Sequence, residues 1–205
     1  MATRNPSKVR EITAIYAHLG VDLLTLDGWP GLALPAEDAE TYGENAARKA
    51  GAVARATGVP ALADDSGIEI DALGGAPGVH SHRFLGDTAT DAERNARVLG
   101  LLQDTPDARR AARYRAAVAI ASPDGSVRVF DGVCEGAIAQ SPRGRGGFGY
   151  DPIFVVAGDG RTMAELPPDL KNQISHRARA LRAAEPALIE MLRRVGEERR
   201  ASSAN

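Results

Sequence analysis

Two hydrophobic periodicities alternate along this chain, and that alternation restricts the fold to helices packed on a sheet. Asn5-Pro6 sets an N-cap and a first helical position, and Val9, Ile12, Ile15, Tyr16 and Leu19 follow at helical spacing until Gly20. Val21 to Leu26 reads as a strand, followed by a loop rich in Gly, Pro and acid. Thr41-x-x-Glu44 is a capping box for a second helix ending at Gly58, and Thr90-x-x-Glu93 opens a third that runs to about Leu102. Pro60 to Ala63 is a short strand that runs into Asp64-Asp65-Ser66-Gly67. Tyr114 to Ala121 and Val127 to Cys134 form a hairpin pair around Pro123-Asp124-Gly125. Ser175 caps a last helix striped by Leu181, Leu188 and Leu192, with Pro186 expected to kink it. The pattern predicts one domain over residues 1–195 and a frayed, disordered polar tail over 196–205.

Composition narrows the function classes. With 25 basic and 27 acidic residues the formal charge is −2, so nothing in the overall balance recruits nucleic acid or an acidic membrane. Any polyanion must be held by local cations. A single cysteine, Cys134, allows neither an intramolecular disulfide nor a thiolate zinc cluster. MATRNPSK lacks the apolar core of a signal peptide, and no apolar run approaches membrane-spanning length. These features predict a soluble, cytoplasmic protein with no nucleic-acid or membrane partner.

Four segments carry groups suited to chemistry, each with a plainer alternative. Thr3-Arg4-Asn5-Pro6-Ser7-Lys8 places hydroxyls, a lysine and free backbone N–H groups at a helix start, which suits an anion; it also reads as a well-capped helix. Asp64-Asp65 puts two carboxylates at a strand end, where a hard divalent cation such as Mg²⁺ offsets their repulsion. Glu37 or Glu44 could add a ligand, and a solvated turn is the alternative. Gly144 to Pro152 is too glycine-rich for a core, and its Phe148 and Tyr150 offer faces for stacking a base, unless the loop is merely a surface one. Lys171, Ser175, His176 and Arg177 gather donors at a helix start that could read a base carbonyl or hold phosphate, or form a charged helix face.

Together, ATRNPSKVRE, ENAARKA, LADDSGIEIDALGGAPGVHS, GGFGYDPIF and MAELPPDLKNQISHRARAL, in this order, resemble the inosine/xanthosine triphosphate pyrophosphatase family. The likeness spans about Ala2 to Leu181. It implies an α/β fold with a long, twisted, mixed sheet, two lobes around a central cleft, and a homodimer. It implies Mg²⁺-dependent hydrolysis of dITP, ITP and XTP to the monophosphate and pyrophosphate. It assigns the triphosphate to Thr3, Arg4, Asn5, Pro6, Ser7 and Lys8, and general-base and metal roles to Asp65. Glu37 becomes the matching acidic metal residue, and Ser66 a substrate contact. The nucleoside falls to Phe148, Gly149, Tyr150, Asp151, Lys171, His176 and Arg177, while Asn45 and Lys49 face the same cleft.

Lys171, His176 and Arg177 are donors that suit a 6-oxo base, and a site built this way rejects an unmatched analogue by up to about 10⁴-fold. A pyrophosphatase for other nucleotides, such as modified pyrimidines, and a binding module without turnover are the competing readings. Three features depart from the family pattern. His80 stands where Tyr is usual, and His82 where a small residue is usual, both expected to lie away from the core motifs. Met1 and Ala2 are too few to form the apolar strand that usually precedes this phosphate segment. A longer natural start is therefore expected, with the phosphate segment left unanchored here.

Overall fold

The computed structural model describes the backbone of residues 1–203 and the side-chain environments of residues 1–197. The helices are α1 (Pro6–Tyr16), α2 (Tyr42–Thr57), α3 (Asp91–Leu101), α4 (Pro168–Ile174) and α5 (His176–Ser203). The strands are β1 (Ala61–Ile70), β2 (Ala111–Ala121), β3 (Val127–Ile138) and β4 (Phe154–Val156). They form one sheet in the order β1-β2-β3-β4. Every strand pair is antiparallel, with registers from Ala61↔Ala121 to Ile70↔Ala112, Ala111↔Ala137 to Ala121↔Val127, and Gly136↔Val156 to Ile138↔Phe154. The expected α/β architecture with flanking helices is present. The sheet is antiparallel among the described residues, not mixed, because neighbouring strands are also successive in the chain and each reverses direction.

The capping signals place the helices. The Asn5 side chain caps α1 with Pro6 at its first position, and Thr41 caps α2, which Gly58 ends in the left-handed region at φ 66°. Thr90 and Glu93 form a complete capping box on α3. Each such cap contributes about 1 kcal/mol. Alternation along β1 then assigns its two faces. Ala61 and Ala63 pack on Ala46, Ala50, Val53 and Ala54 of α2. Leu62, on the other face, joins Ile12 and Tyr16 of α1 with Leu181, Ala184 and Leu188 of α5. Farther along the strand, Ile68 and Ile70 enter a separate cluster with Val98, Leu102, Tyr114, Phe154 and Met163. Asp64 to Gly67 therefore lie where one part of the core ends and the next begins.

Three expectations change. β1 does not stop before Asp64; it continues through Asp64-Asp65-Ser66-Gly67 to Ile70, because Val118 to Arg115 of β2 stand opposite those four residues. Val21 to Leu26 is not a strand. Leu24 is 54% exposed and its carbonyl accepts from the Met1 ammonium (2.5 Å), after which the chain turns at Leu26–Gly28 in 3-10 geometry. The segment Thr3 to Lys8, expected to be unanchored, is anchored, since Ala2 is fully buried and its N–H donates to the Leu62 carbonyl at 2.7 Å. The polar tail expected from Gly196 falls on the last turns of α5, and Ala204 and Asn205 lie outside the described residues. Pro186 lies within α5. No helix among the described residues is long and apolar enough to cross a membrane.

Candidate active site

A cleft of about 510 Å³ opens beside the middle of β1. It collects Thr3, Arg4, Asn5, Ser7, Lys8, Glu37, Lys49, Asp65, Ser66, Phe148, Gly149, Tyr150, Asp151, Lys171, His176 and Arg177. Of the residues expected at the site, Pro6, Asn45, Asp64 and Ser175 are absent from its wall. Glu44 also lies away from it, hydrogen-bonded to Thr41 at the α2 start. Glycines allow two of the close approaches that build the cleft. A Cβ on Gly132 of β3 would lie 2.2 Å from the His176 carbonyl and 2.4 Å from Ala180 N, so only glycine lets the start of α5 settle on the sheet. A Cβ on Gly67 would lie 2.4 Å from the Gly78 carbonyl and 2.6 Å from Ser81 Oγ, which fixes the 3-10 segment Gly78–Arg83 against β1.

The two adjacent aspartates are separated by the strand pleat. Asp64 points toward α1 and α5. Its Oδ1 meets Lys8 Nζ at 2.5 Å and its Oδ2 meets Arg177 Nε at 3.1 Å. Burial alone would raise its carboxyl, but the Arg177 guanidinium and Lys8 ammonium outweigh that and hold it well below the usual carboxylate range. Asp65 points toward α2, where Asn45 Nδ2 donates to its Oδ2 at 3.1 Å and Lys49 Nζ to its Oδ1 at 3.2 Å. Burial raises its carboxyl, and the nearby Glu37 and Asp64 charges reinforce burial against Lys49 and Lys8. The pair thus does not share one cation at a strand end. Asp64 is tied up in ion pairs, whereas Asp65 faces the cleft with its proton affinity increased.

Lys49 is buried between Glu37 and Asp65 and also donates to the Asp64 carbonyl at 2.8 Å. Its two carboxylate partners are the oxygen donors that a hard cation requires. Among the described residues no three His, Cys, Asp or Glu side chains gather as a preformed cage. A pair of carboxylates still fits Mg²⁺, which commonly takes one or two from the protein and completes its shell with water and phosphate oxygens.

The N-terminal wall differs in detail from expectation. The N–H groups of Ser7 and Lys8 are not free, because both donate to Asn5 Oδ1 (2.9 and 3.2 Å), and Asn5 N donates to Thr3 Oγ1 at 3.1 Å. The polar groups that this wall presents to the cleft come from Thr3, Arg4, Asn5, Ser7 and Lys8, with Lys8 already paired to Asp64. Arg4 reaches across to donate to the Leu32 carbonyl at 2.9 Å.

The opposite wall carries the glycine-rich loop. Lys171 Nζ pairs with Asp151 Oδ2 at 2.5 Å and with Glu11 Oε1 at 2.8 Å. Arg177 pairs with Glu11 Oε2 at 2.6 Å and donates to Ser66 Oγ at 3.0 Å. Both cations lie beside the Phe148 ring, 4.9 and 5.5 Å from its centroid. His176 is buried and stacks on Tyr114 with centroids 4.5 Å apart. Burial and the neighbouring Arg177 charge push its imidazole well below the ordinary value, so it is neutral at pH 7, and its Nδ1 has no partner. Of the three donors expected to face a base, two are already bound to carboxylates and only His176 has an unused nitrogen.

The residues missed from sequence are Glu11, Ser81, Asp91, Arg94, Asn95 and Tyr114. Glu11 was legible in principle, since it lies three residues after Lys8 on the same helix face. Ser81 ties Gly78–Arg83 in place, accepting from Ile68 N at 2.9 Å and donating to the Gly78 carbonyl at 2.6 Å. His82, expected to lie away from the motifs, lines the cleft.

The Ham1 family profile matches residues 1–187 of this chain. The dITP/XTP pyrophosphatase of Geobacter sulfurreducens is 50% identical over 181 residues, covering 88% of this chain and 91% of that protein. The solved structure of a HAM1 protein from Coxiella burnetii superposes with a TM-score of 0.82 at 42% identity, covering 92% of this chain and 96% of that one. The Staphylococcus aureus Ham1 protein superposes with a TM-score of 0.81 at 34% identity and the same coverages. With a family profile spanning nearly the whole chain and relatives this similar over most of their length, the chain belongs to the Ham1 family.

Proposed function

We propose that this chain hydrolyses deaminated purine nucleoside triphosphates, dITP, ITP and XTP, to the nucleoside monophosphate and pyrophosphate. The observation that carries the reading is Asp65, a carboxylate with raised proton affinity facing a cleft that has hydroxyls and lysines on one wall and an aromatic ring flanked by cations on the other. Relatives about half identical to it are named dITP/XTP pyrophosphatase, which supports the substrate class.

The division of labour follows from the ion pairs. Asp65 accepts the proton of the attacking water, with Asn45 and Lys49 fixing its orientation. Thr3, Asn5, Ser7 and Lys8 hold the triphosphate, and Ser66 is placed beside it by Arg177. Phe148 stacks on the base, and His176 supplies the hydrogen bond that its 6-oxo edge requires. Lys171 and Arg177 act on that wall mainly by holding Asp151, Glu11 and Asp64 in place.

Charge balance supports a Mg²⁺ requirement. Lys8, Lys49, Lys171, Arg177 and Arg94 each already face a carboxylate, and Arg4, bound to the Leu32 carbonyl, is a single further cation, so a triphosphate brings more negative charge than the side chains offset. Asp65 and Glu37 would hold the ion, which when bound screens the phosphate charge. Homodimerisation and a cytoplasmic location belong to the proposal on the strength of the family resemblance. The test is pyrophosphate release from a panel of purine and pyrimidine triphosphates, with and without Mg²⁺. Turnover of ITP, dITP and XTP well above ATP, GTP and TTP supports the reading, and preference for a pyrimidine triphosphate overturns it.

A further inference from the structure

Helix α3 contributes no residue to the roles above, yet it holds the loop that presents Phe148. Asp91, Arg94 and Asn95 stand at i, i+3 and i+4, so they share one face of the helix. The Gly149 N–H donates to Asp91 Oδ2 at 2.6 Å, and Asn95 Nδ2 donates to the Gly149 carbonyl at 3.1 Å. Both backbone polar groups of Gly149 therefore end on α3. Arg94 Nη2 donates to the other Asp91 oxygen at 2.8 Å, which fixes the carboxylate. Gly149 has φ 63°, a conformation that glycine reaches without the steric cost other residues meet, so the chain can turn here and present both polar groups of Gly149 to α3.

The geometry has a direct consequence for the base site. The Gly149 N–H belongs to the peptide plane shared with Phe148, so anchoring it sets the direction in which Phe148 leaves the chain. Within the loop, Phe148 N donates to Asp151 Oδ2 at 2.9 Å and Asp151 N donates to the Phe148 carbonyl at 3.2 Å, while the Tyr150 hydroxyl donates to the Ser81 carbonyl at 2.8 Å. The peptide between Phe148 and Gly149 is thus held at its carbonyl from within the loop, and the Asp91 bond at its N–H is what ties it to a separate element. The α3 end is itself well supported, by the Thr90–Glu93 capping box and by burial of Val98 and Leu102 in the core.

We propose that Asp91, aided by Asn95, is a positioning residue for nucleobase recognition: it aims Phe148 across the cleft by gripping Gly149. The inference rests on the reading that Phe148 stacks on the base. It separates base recognition, set partly from α3, from phosphate recognition, set from α1 and β1.

The experiment measures KM and kcat for ITP, and inhibition by inorganic tripolyphosphate, for the full chain carrying Asp91→Ala, Asp91→Asn, Asn95→Ala, Phe148→Ala, and Asp91→Ala with Phe148→Ala. Asp91→Ala is expected to raise KM for ITP about tenfold with a smaller effect on kcat, the size of one charge-assisted hydrogen bond. Tripolyphosphate, which has no base, should inhibit as in the parent. Asp91→Asn keeps an acceptor and should recover most of the loss, and Asn95→Ala should move KM the same way if Asp91→Ala folds poorly. In the double variant the two effects should not add. The proposal is overturned if Asp91→Ala and Asn95→Ala both leave KM unchanged while Phe148→Ala raises it. It is equally overturned by full additivity, or by a parallel loss of tripolyphosphate inhibition. An unchanged KM in Phe148→Ala instead removes the stacking reading, and with it the role given to Asp91.

Discussion

Asp64 and Asp65 are neighbours in sequence but point to opposite faces of β1, one toward Lys8 and Arg177 and the other toward Asn45 and Lys49. That separation gives them different tasks. Asp65→Asn keeps the shape and removes the proposed base and metal-site charge, so turnover is expected to fall by about 10²-fold or more with the fold intact. Steady-state rates with ITP, alongside a thermal melt, check this. A variant that retains activity within a few-fold would contradict the assignment.

Asp64→Asn should instead act on stability. Removing one partner of a buried ion pair costs about 3–5 kcal/mol, because the cations left behind are desolvated. The pH dependence has a definite sign. The folded-state pKa of Asp64 is depressed, so its contribution is fully present above the ordinary aspartate value of about 3.9 and is lost as pH falls through its own lower value. Urea unfolding of parent and variant should show a gap at pH 7 that narrows on acidification to below about pH 4. A gap independent of pH would contradict the ion-pair account.

Arg177 reads from sequence as a donor to the base, but in the structure its guanidinium is bound to Asp64, Glu11 and Ser66. Arg177→Ala is therefore expected to weaken ITP and ATP hydrolysis alike and to lower stability by about 3–5 kcal/mol. Arg177→Lys should not restore the parent, since a point charge cannot replace a planar fork. A selective change in the ITP-to-ATP ratio at unchanged stability would return Arg177 to base recognition.

Phe148→Ala removes the stacking face, expected to cost about 1–3 kcal/mol of binding. KM for ITP should rise while the Mg²⁺ concentration needed for half-maximal rate stays put. An unchanged KM would move the base elsewhere in the cleft.

Legibility from sequence followed the range of each signal. Caps are local, so Asn5, Thr41, Thr90 and Gly58 marked helix ends that the structure retains. The extent of β1 was not local. Asp64 to Gly67 resemble a turn in isolation, and only pairing with β2 keeps them extended. Val21 to Leu26 erred the other way, since alternating apolar residues make a strand only when a neighbouring strand can pair with them. The cleft residues were found as four segments, but their partnerships were not. That Lys171 and Arg177 are spent on Asp151 and Glu11, or that α3 grips Gly149, depends on contacts between distant stretches that no spacing rule encodes.

The central claim is the reaction itself. The direct measurement is phosphorus-containing product analysis after incubation of the purified chain with ITP, dITP, XTP, GTP, ATP and TTP, each with Mg²⁺ and with a chelator in its place. The account expects pyrophosphate and the monophosphate from the 6-oxo, non-guanine nucleotides, far slower turnover of the others, and loss of activity with the chelator. Release of orthophosphate and a diphosphate, or equal turnover of ATP and ITP, would contradict it.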